Sequence, residues 1–334
     1  MMSEKTNKTS QPAEGAISRK SFLKQSTLSL LGLSSMGVLP LGLGKQNPVE
    51  KLSRKSNNDD NILRTIAYNV FNGCIGYKGI NGRELEAGEE YDLVRKAREL
   101  GQIPKRIALQ LALYNPNLVN FSEAPERSVV AMIADMLGMN YAYFSSSDYK
   151  GSFPGAILSH YDIISHENRP FVGEGSKDLF TRHWGKAILR LPANNQLIAV
   201  HSAHLWYKGD EEGTQIRLRE IAELIKAIDF DLKNNVQSVI LQGDLNHRPD
   251  SPEYKALEKG GLVDLFNRKG EGNGYTTRSY GPQRRIDYIR AKGPLVDKMS
   301  KYKVLFEGDF RINNDDPRSF ALSDHLPVLG EFQL

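Results

Sequence analysis

Eight residues of this 334-residue chain carry groups able to do chemistry and stand where apolar runs end. Asn69 lies within IAYNVFN, Glu123 closes LVNFSE, and His204 is at the end of LIAVHSAHL. Asp244 and Asn246 close VILQGDLN, Asp287 sits in RRIDYI, and Asp324 with His325 opens SDHLPV. Oxygen donors of this kind suit a hard divalent cation, and imidazole carries a proton near neutral pH. Each has an ordinary reading when taken singly. Asn69, Asp244 and Asn246 are turn formers, Glu123 suits a helix cap, and Asp287 could pair with Arg284 or Arg285 at the surface. Those readings do not account for the whole ordered set. Strand ends from one face of a sheet converge in space, and functional residues concentrate in loops carried by such a scaffold. HSAHL holds two histidines three residues apart, so in an extended strand His201 and His204 point to opposite faces and only one can serve a site.

The elements that must position these residues are short strands interspersed with amphipathic helices. The patterning predicts strands over 62–71, 118–122, 141–145, 156–165, 185–191, 196–204, 239–242, 285–290, 303–307 and 328–332. It predicts helices over 91–100, 105–114 and 126–137, the last stopped by Gly138, and a long one over 215–232 with Ile216, Ile221, Leu224, Ile225 and Ile228 on one face. The order is neither strict βαβ alternation nor an all-β meander. An α/β (α+β) architecture of two sheets with helices outside is expected.

Composition narrows the class further. With 40% hydrophobic and 25% charged residues, the chain reads as a globular enzyme-sized protein rather than a fibrous or disordered one. A single cysteine, Cys74, excludes an intrachain disulfide and a multi-thiolate zinc cage. Residues 1–61 hold nine of the 44 basic and five of the 40 acidic residues, so the net charge of +4 belongs to this leader and the body is neutral. Bulk charge therefore gives no sign of a nucleic-acid partner. The leader is polar and basic, then uncharged and apolar from Ser26 to Gly44, which is the order of an export signal. Within it, SRKSFLK resembles a twin-arginine signal with Lys20 where the second arginine stands. An exported, periplasmic or extracellular protein is expected, with a retained membrane anchor through residues 26–44 as the alternative. The domain organisation expected is a signal or anchor over 1–44, a disordered linker over 45–61 and one domain over 62–334.

Seven blocks carry a resemblance: YNV at 68–70, NFSE at 120–123, GAILSHYDI at 155–163, HSAHL at 201–205, GDLNHRPDSPEY at 243–254, RIDYI at 285–289 and SDHLPV at 323–328. In this order the chain resembles the endonuclease/exonuclease/phosphatase superfamily, whose members include deoxyribonucleases, AP endonucleases and neutral sphingomyelinases. The resemblance implies a four-layer αββα sandwich, a divalent metal (Mg2+, with Mn2+ or another cation as alternatives) and phosphate-ester hydrolysis. It implies that Glu123 is the principal metal ligand, that Asn69 orients the metal shell, and that Asp324 joins the metal or water network. Asp244 would activate and aim a water, and Asn246 would hold water or phosphate. His325 would contact the phosphate with Asp287 orienting its ring, and His204 would donate to a phosphoryl oxygen or leaving group. The pattern favours His204 over His201, which is expected to be structural. His160, His166, His183 and His247 have no matched role.

Departures from the pattern bear on substrate. Gln242 before Gly243 and the cysteine-free RRID disfavour the inositol-phosphatase branch. The basic, aromatic segment 267–285 reads either as a rim gripping a phosphate backbone or as a solvated loop. Three functions are carried forward: an exported nuclease-like phosphodiesterase, a sphingomyelinase-like hydrolase of phospholipid headgroups, and a binding domain without turnover. The implied partner is a phosphodiester, either nucleic acid or phospholipid headgroup. No protein partner is implied and a monomer is expected.

Overall fold

A computed structural model describes residues 61–80, 83–84, 92–146, 153–170, 178–316 and 318–334. The expected signal (1–44) and all but the last residue of the expected linker lie outside the described residues. Among those described, no helix is long and apolar enough to cross a membrane.

Two six-stranded sheets form the centre. The first contains β1 (Ile62–Asn69), β4 (Leu118–Ser122), β5 (Asn140–Phe144), β6 (Gly155–Ser159), β13 (Met299–Val304) and β14 (Val328–Gln333), in the order β13-β14-β1-β4-β6-β5. The second contains β7 (Asp162–Asn168), β8 (His183–Arg190), β9 (Leu197–His204), β10 (Ser238–Asp244), β11 (Val263–Asp264) and β12 (Asp287–Lys292), in the order β11-β12-β10-β9-β8-β7. A small hairpin joins β2 (Gly79–Ile80) to β3 (Arg83–Glu84).

Alternation along each strand builds three apolar layers. On β1, Leu63 and Ala67 point to the space between the sheets, whereas Ile66 and Tyr68 point outward to α1 (Asp92–Glu99), α2 (Gln102–Ala112) and α3 (Arg127–Leu137). On β9, Ile198 and Val200 face the other sheet, and Ala199 and Ala203 pack against α4 (Glu211–Lys233) and α5 (Pro252–Lys259). A short α6 (Leu265–Lys269) follows β11. The result is the expected αββα sandwich, since each sheet buries one face on its partner and the other on helices. Thr65 on β1 donates to Gln242 Oε1 on β10 (2.7 Å), a polar tie between the two sheets.

Helix limits follow local chemistry. Asp210 caps α4 by accepting from the Gly213 N–H (2.7 Å), and Ser251 caps α5 ahead of Pro252. Gly138 ends α3 at φ 68°, as its sequence position predicts.

Two strand expectations need correction. The run 156–165 is two strands, β6 in the first sheet and β7 in the second, because both strands can bury apolar residues in the same middle layer. The apolar run continues through Tyr161 and Ile163, which pack on that layer, while the chain crosses between sheets at His160 and Tyr161. The strand expected over 303–307 lies instead at Met299–Val304, where antiparallel pairing with β14 sets Val304 opposite Val328. Helix α5, within the polar segment after Asn246, was not expected from periodicity.

Candidate functional site

Sheet topology brings the chemically able residues to one end of the sandwich. Strands β1 and β4 run parallel, as do β9 and β10, so Asn69, Glu123, His204 and Asp244 lie at or just past C-terminal strand ends. Strand β12 is antiparallel to β10 and sets Asp287 directly opposite Asp244. Strand β14 is antiparallel to β1, so Asp324 and His325, just before it, return beside the end of β1.

The side chains meet. The Asn69 Nδ2 donates to Asp244 Oδ2 (3.0 Å) and to Glu123 Oε1 (3.2 Å), bridging two carboxylates with one amide. His325 Nδ1 lies 2.8 Å from Asp287 Oδ2, and its Nε2 faces Asp244 Oδ2 at 3.8 Å. His204 Nε2 lies 3.3 Å from the same Asp244 oxygen. Asn246 donates its N–H to Asp244 Oδ1 (3.1 Å) and its Nδ2 to the Leu205 carbonyl (3.0 Å), so its amide ties the segment leaving β10 to the segment leaving β9. Ligand atoms of Asp244, Asp287 and His325 all fall within 4.8 Å of one another.

The backbone around this cluster is held in unfavourable conformations. Phe71, Asn72, Gly73 and Cys74 form a left-handed turn with φ between 44° and 78°, and Glu123 and Asn246 are left-handed too. Each non-glycine residue there costs roughly 1–2 kcal/mol. The turn brings the Asn72 N–H to Glu123 Oε2 (2.7 Å) and the Gly73 N–H to the Glu123 carbonyl (2.9 Å), fixing the carboxylate from both directions. Strain of this kind persists where surrounding structure overdetermines it, and here it clusters at the site.

Electrostatics separates the titrating groups. Burial, then Asp287, push the Asp244 carboxyl up to about 7, against the pull of His325, Asn69 and Arg182. Burial disfavours the His325 cation, yet Asp287, Asp324 and Asp244 outweigh it and hold the imidazole well above its ordinary value. His204 moves the other way, kept neutral by burial and by Arg182, His183 and His325.

The sequence profile of the Endonuclease/Exonuclease/phosphatase family matches residues 68–325. The chain belongs to that family. Structural likeness agrees on the fold. The mannosyl-6-phosphatase of Bacteroides thetaiotaomicron superposes with a TM-score of 0.59 at 18% identity, covering 80% of this chain and 98% of that one. Truncated TDP2 from Caenorhabditis elegans gives 0.54 at 19% identity, covering 82% and 98%. An endonuclease/exonuclease/phosphatase protein of Bacteroides vulgatus gives 0.59 at 14%, covering 82% and 99%. No curated protein sequence is significantly similar to this chain.

Members of the endonuclease/exonuclease/phosphatase family are phosphoesterases, generally dependent on a divalent metal. The donor set fits such an ion. Asp244, Asp287 and His325 present converging ligand atoms, and Glu123, joined to Asp244 through Asn69, adds a further hard oxygen beside the Arg182 guanidinium, 3.4 Å from its Oε1. Asp324, beside His325, has a partner outside the cluster. Its Oδ2 is paired with Arg278 Nη1.

His201 faces the outer layer, with Nε2 2.9 Å from Asp231 Oδ2 and Nδ1 accepting from Trp184 Nε1, as expected of a structural histidine. His183 contacts Ser202 Oγ (2.9 Å), and His247 stacks on Tyr288 at 4.6 Å. Asp287 does not pair with the neighbouring arginines, because Arg285 is committed to Asp264 (2.7 Å).

Arg182 is the residue that sequence reasoning missed. It lies between the Phe153 and Tyr207 rings (4.1 and 4.8 Å) and contacts His204 Nε2 (3.0 Å). An arginine opening a strand is ordinary in sequence, so nothing local marked it.

Gly243 tests the rigidity of the site. Its φ is 137°, and a Cβ there would lie 2.2 Å from the Ala203 carbonyl oxygen, a backbone atom of the neighbouring strand. Gly243→Ala is expected to destabilise the fold by about 1–3 kcal/mol, read as a lowered denaturant midpoint. The displaced neighbour is Asp244, so activity should fall even at temperatures where the variant is fully folded.

Proposed function

We propose that this protein is an exported, divalent-metal-dependent phosphoesterase that hydrolyses phosphodiester bonds in the manner of a nuclease. The observation that carries this reading is the meeting of Asn69, Glu123, His204, Asp244, Asp287 and His325 at one end of the sandwich.

Glu123, with Asn69 bridging it to Asp244, would hold Mg2+ or a similar cation, which when bound supplies positive charge against the phosphoryl oxygens. Asp244 takes a proton from the attacking water. Its raised pKa makes it a better base than an exposed carboxylate while leaving it substantially ionised near neutral pH. His325, kept protonated by Asp287, contacts a phosphoryl oxygen as charge develops there. Arg182 presents a second cation to the same region, and its contact with His204 holds that ring as a neutral acceptor. The two flanking aromatic rings fix the guanidinium plane, which favours planar recognition of phosphate. Export rests on the polar, basic and then apolar order of residues 1–44.

The full chain is assayed on bis(p-nitrophenyl) phosphate, DNA, RNA, sphingomyelin and a sugar phosphate, with Mg2+ or Mn2+ and with EDTA. Cleavage of DNA or RNA that EDTA abolishes supports the proposal. Choline-phosphate release alone would move the reading to the lipid hydrolase, and silence on every substrate would move it to a binding domain. Glu123→Gln should bind Mn2+ at least ~10-fold more weakly by calorimetry, since one carboxylate of a hard-ion site is lost with little change in volume. Unchanged affinity would remove Glu123 from the metal site.

A further inference from the structure

We infer that Glu220 on α4, aided by Arg217 one turn earlier, is a positioning residue that straps together the two loops on which Arg182 is held. The inference rests on the reading of Arg182 as a phosphate contact.

Glu220 is 1% exposed, and both its carboxylate oxygens are used on backbone from outside its own helix. Oε1 accepts the Phe180 N–H (2.8 Å), and Oε2 accepts the Trp206 N–H (3.0 Å). Phe180 stands two residues before Arg182, and Trp206 two residues after His204. One carboxylate therefore ties the segment entering β8 to the segment leaving β9. The same two segments meet again at the site, where the Arg182 guanidinium lies over the Tyr207 ring and against His204.

Arg217 completes the strap. Its Nη1 donates to the Trp206 carbonyl (3.0 Å) and the Lys208 carbonyl (2.5 Å), while its Nε and Nη2 are held by Glu253 Oε1 at 2.8 and 2.7 Å. The Trp206 residue is thus gripped at its N–H by Glu220 and at its C=O by Arg217, three positions apart on one helix face. Phe180 itself is left-handed, with φ 53°, a conformation that needs an external partner to persist. Burial raises the Glu220 carboxyl to about 7, against the Trp206 and Phe180 amides and Arg217, with Asp178 adding to the rise. A buried carboxylate at this cost is retained where its two acceptors are both in use, and a neutral amide offers only one.

The test is a double-mutant cycle in the full-length protein at pH 8, where Glu220 is ionised. Glu220→Ala is expected to lower kcat/KM on bis(p-nitrophenyl) phosphate by ~10- to 100-fold, the scale of a misplaced contact group. Glu220→Gln keeps one acceptor and should recover part of that loss. It also carries the test if the alanine variant does not fold. In an Arg182→Ala background either Glu220 change should lower kcat/KM by less than about twofold, while its effect on thermal stability stays the same as in the parent. A merely structural Glu220 would lower both by the same factor in both backgrounds, and that result overturns the inference. A separate readout needs no turnover. The chain has two tryptophans, Trp184 fully buried and Trp206 partly exposed, so iodide quenching reports on Trp206. Quenching should rise in Glu220→Gln, and an unchanged quenching constant overturns the strap. If the parent cleaves no phosphoester, the hydrolase reading fails while quenching still judges the strap.

Discussion

Asp244→Asn is expected to reduce phosphoester hydrolysis by ~10³-fold or more while leaving the protein folded. The amide has nearly the same volume, and its one oxygen keeps either the Asn69 or the Asn246 N–H contact, which fall on different oxygens of Asp244, so one hydrogen bond is lost while the packing is retained. It cannot take a proton, and general-base assistance alone accounts for about 10²–10⁴ in rate. The variant also removes the anion that the His325 Nε2 faces at 3.8 Å, while His204, whose Nε2 accepts from Arg182, keeps its partner. Buried Asp244 is held ionised only by His325, Asn69 and Arg182 against burial and Asp287, so its loss is expected to leave stability unchanged or improved. Circular dichroism and a melting curve alongside kcat/KM check both halves. A folded variant within tenfold of the parent would exclude Asp244 as the base.

His325→Ala carries the second large effect, a loss of about 10²-fold or more in kcat/KM. Its imidazole is 6% exposed and protonated through Asp287, so it offers a fixed positive donor where charge grows on the phosphoryl group. The sign of the pH dependence follows. A histidine whose pKa is raised keeps its proton through neutrality, and activity that needs the cation is lost only as pH rises through that raised value. Asp287→Asn removes the first of the carboxylates supporting the cation. The basic limb of the pH–rate profile should move to lower pH, with activity retained at mildly acid pH. Profiles of the parent and Asp287→Asn that superimpose on the alkaline side would show that the dyad does not set the limb.

Much of the fold was legible because periodicity survives into it. The limits of β4, the Gly138 stop after α3 and the apolar face of α4 follow from residue type within a few positions. The run 156–165 was misread for a physical reason. Beta-forming residues run on from the fully buried β6 through Tyr161 to Ile163, which packs on the same middle layer from the other sheet, so residue type marks no break where the chain changes sheet. The 303–307 strand was displaced because edge-strand register is set by the partner, here β14, rather than by the strand's own residues. The Arg278 partner of Asp324, 46 residues away, was not legible in the sequence because nothing local links the two.

The linear chain by itself determined which groups stand at strand ends, that one of two histidines in HSAHL could serve the site, and that a single thiol leaves oxygen and imidazole as the ligands. These are local properties, carried by residue type and by a period of two or 3.6. Tertiary structure alone decided that Arg182 enters between Phe153 and Tyr207 and that Glu220 reaches two loops at once, and between the two readings the sequence offered for Asp287 it set that carboxylate on His325 rather than Arg285. Each of those depends on a partner 14 to 40 or more residues away in sequence, or on a choice among competing partners of equal chemical merit. Packing makes that choice by admitting one geometry and burying the rest.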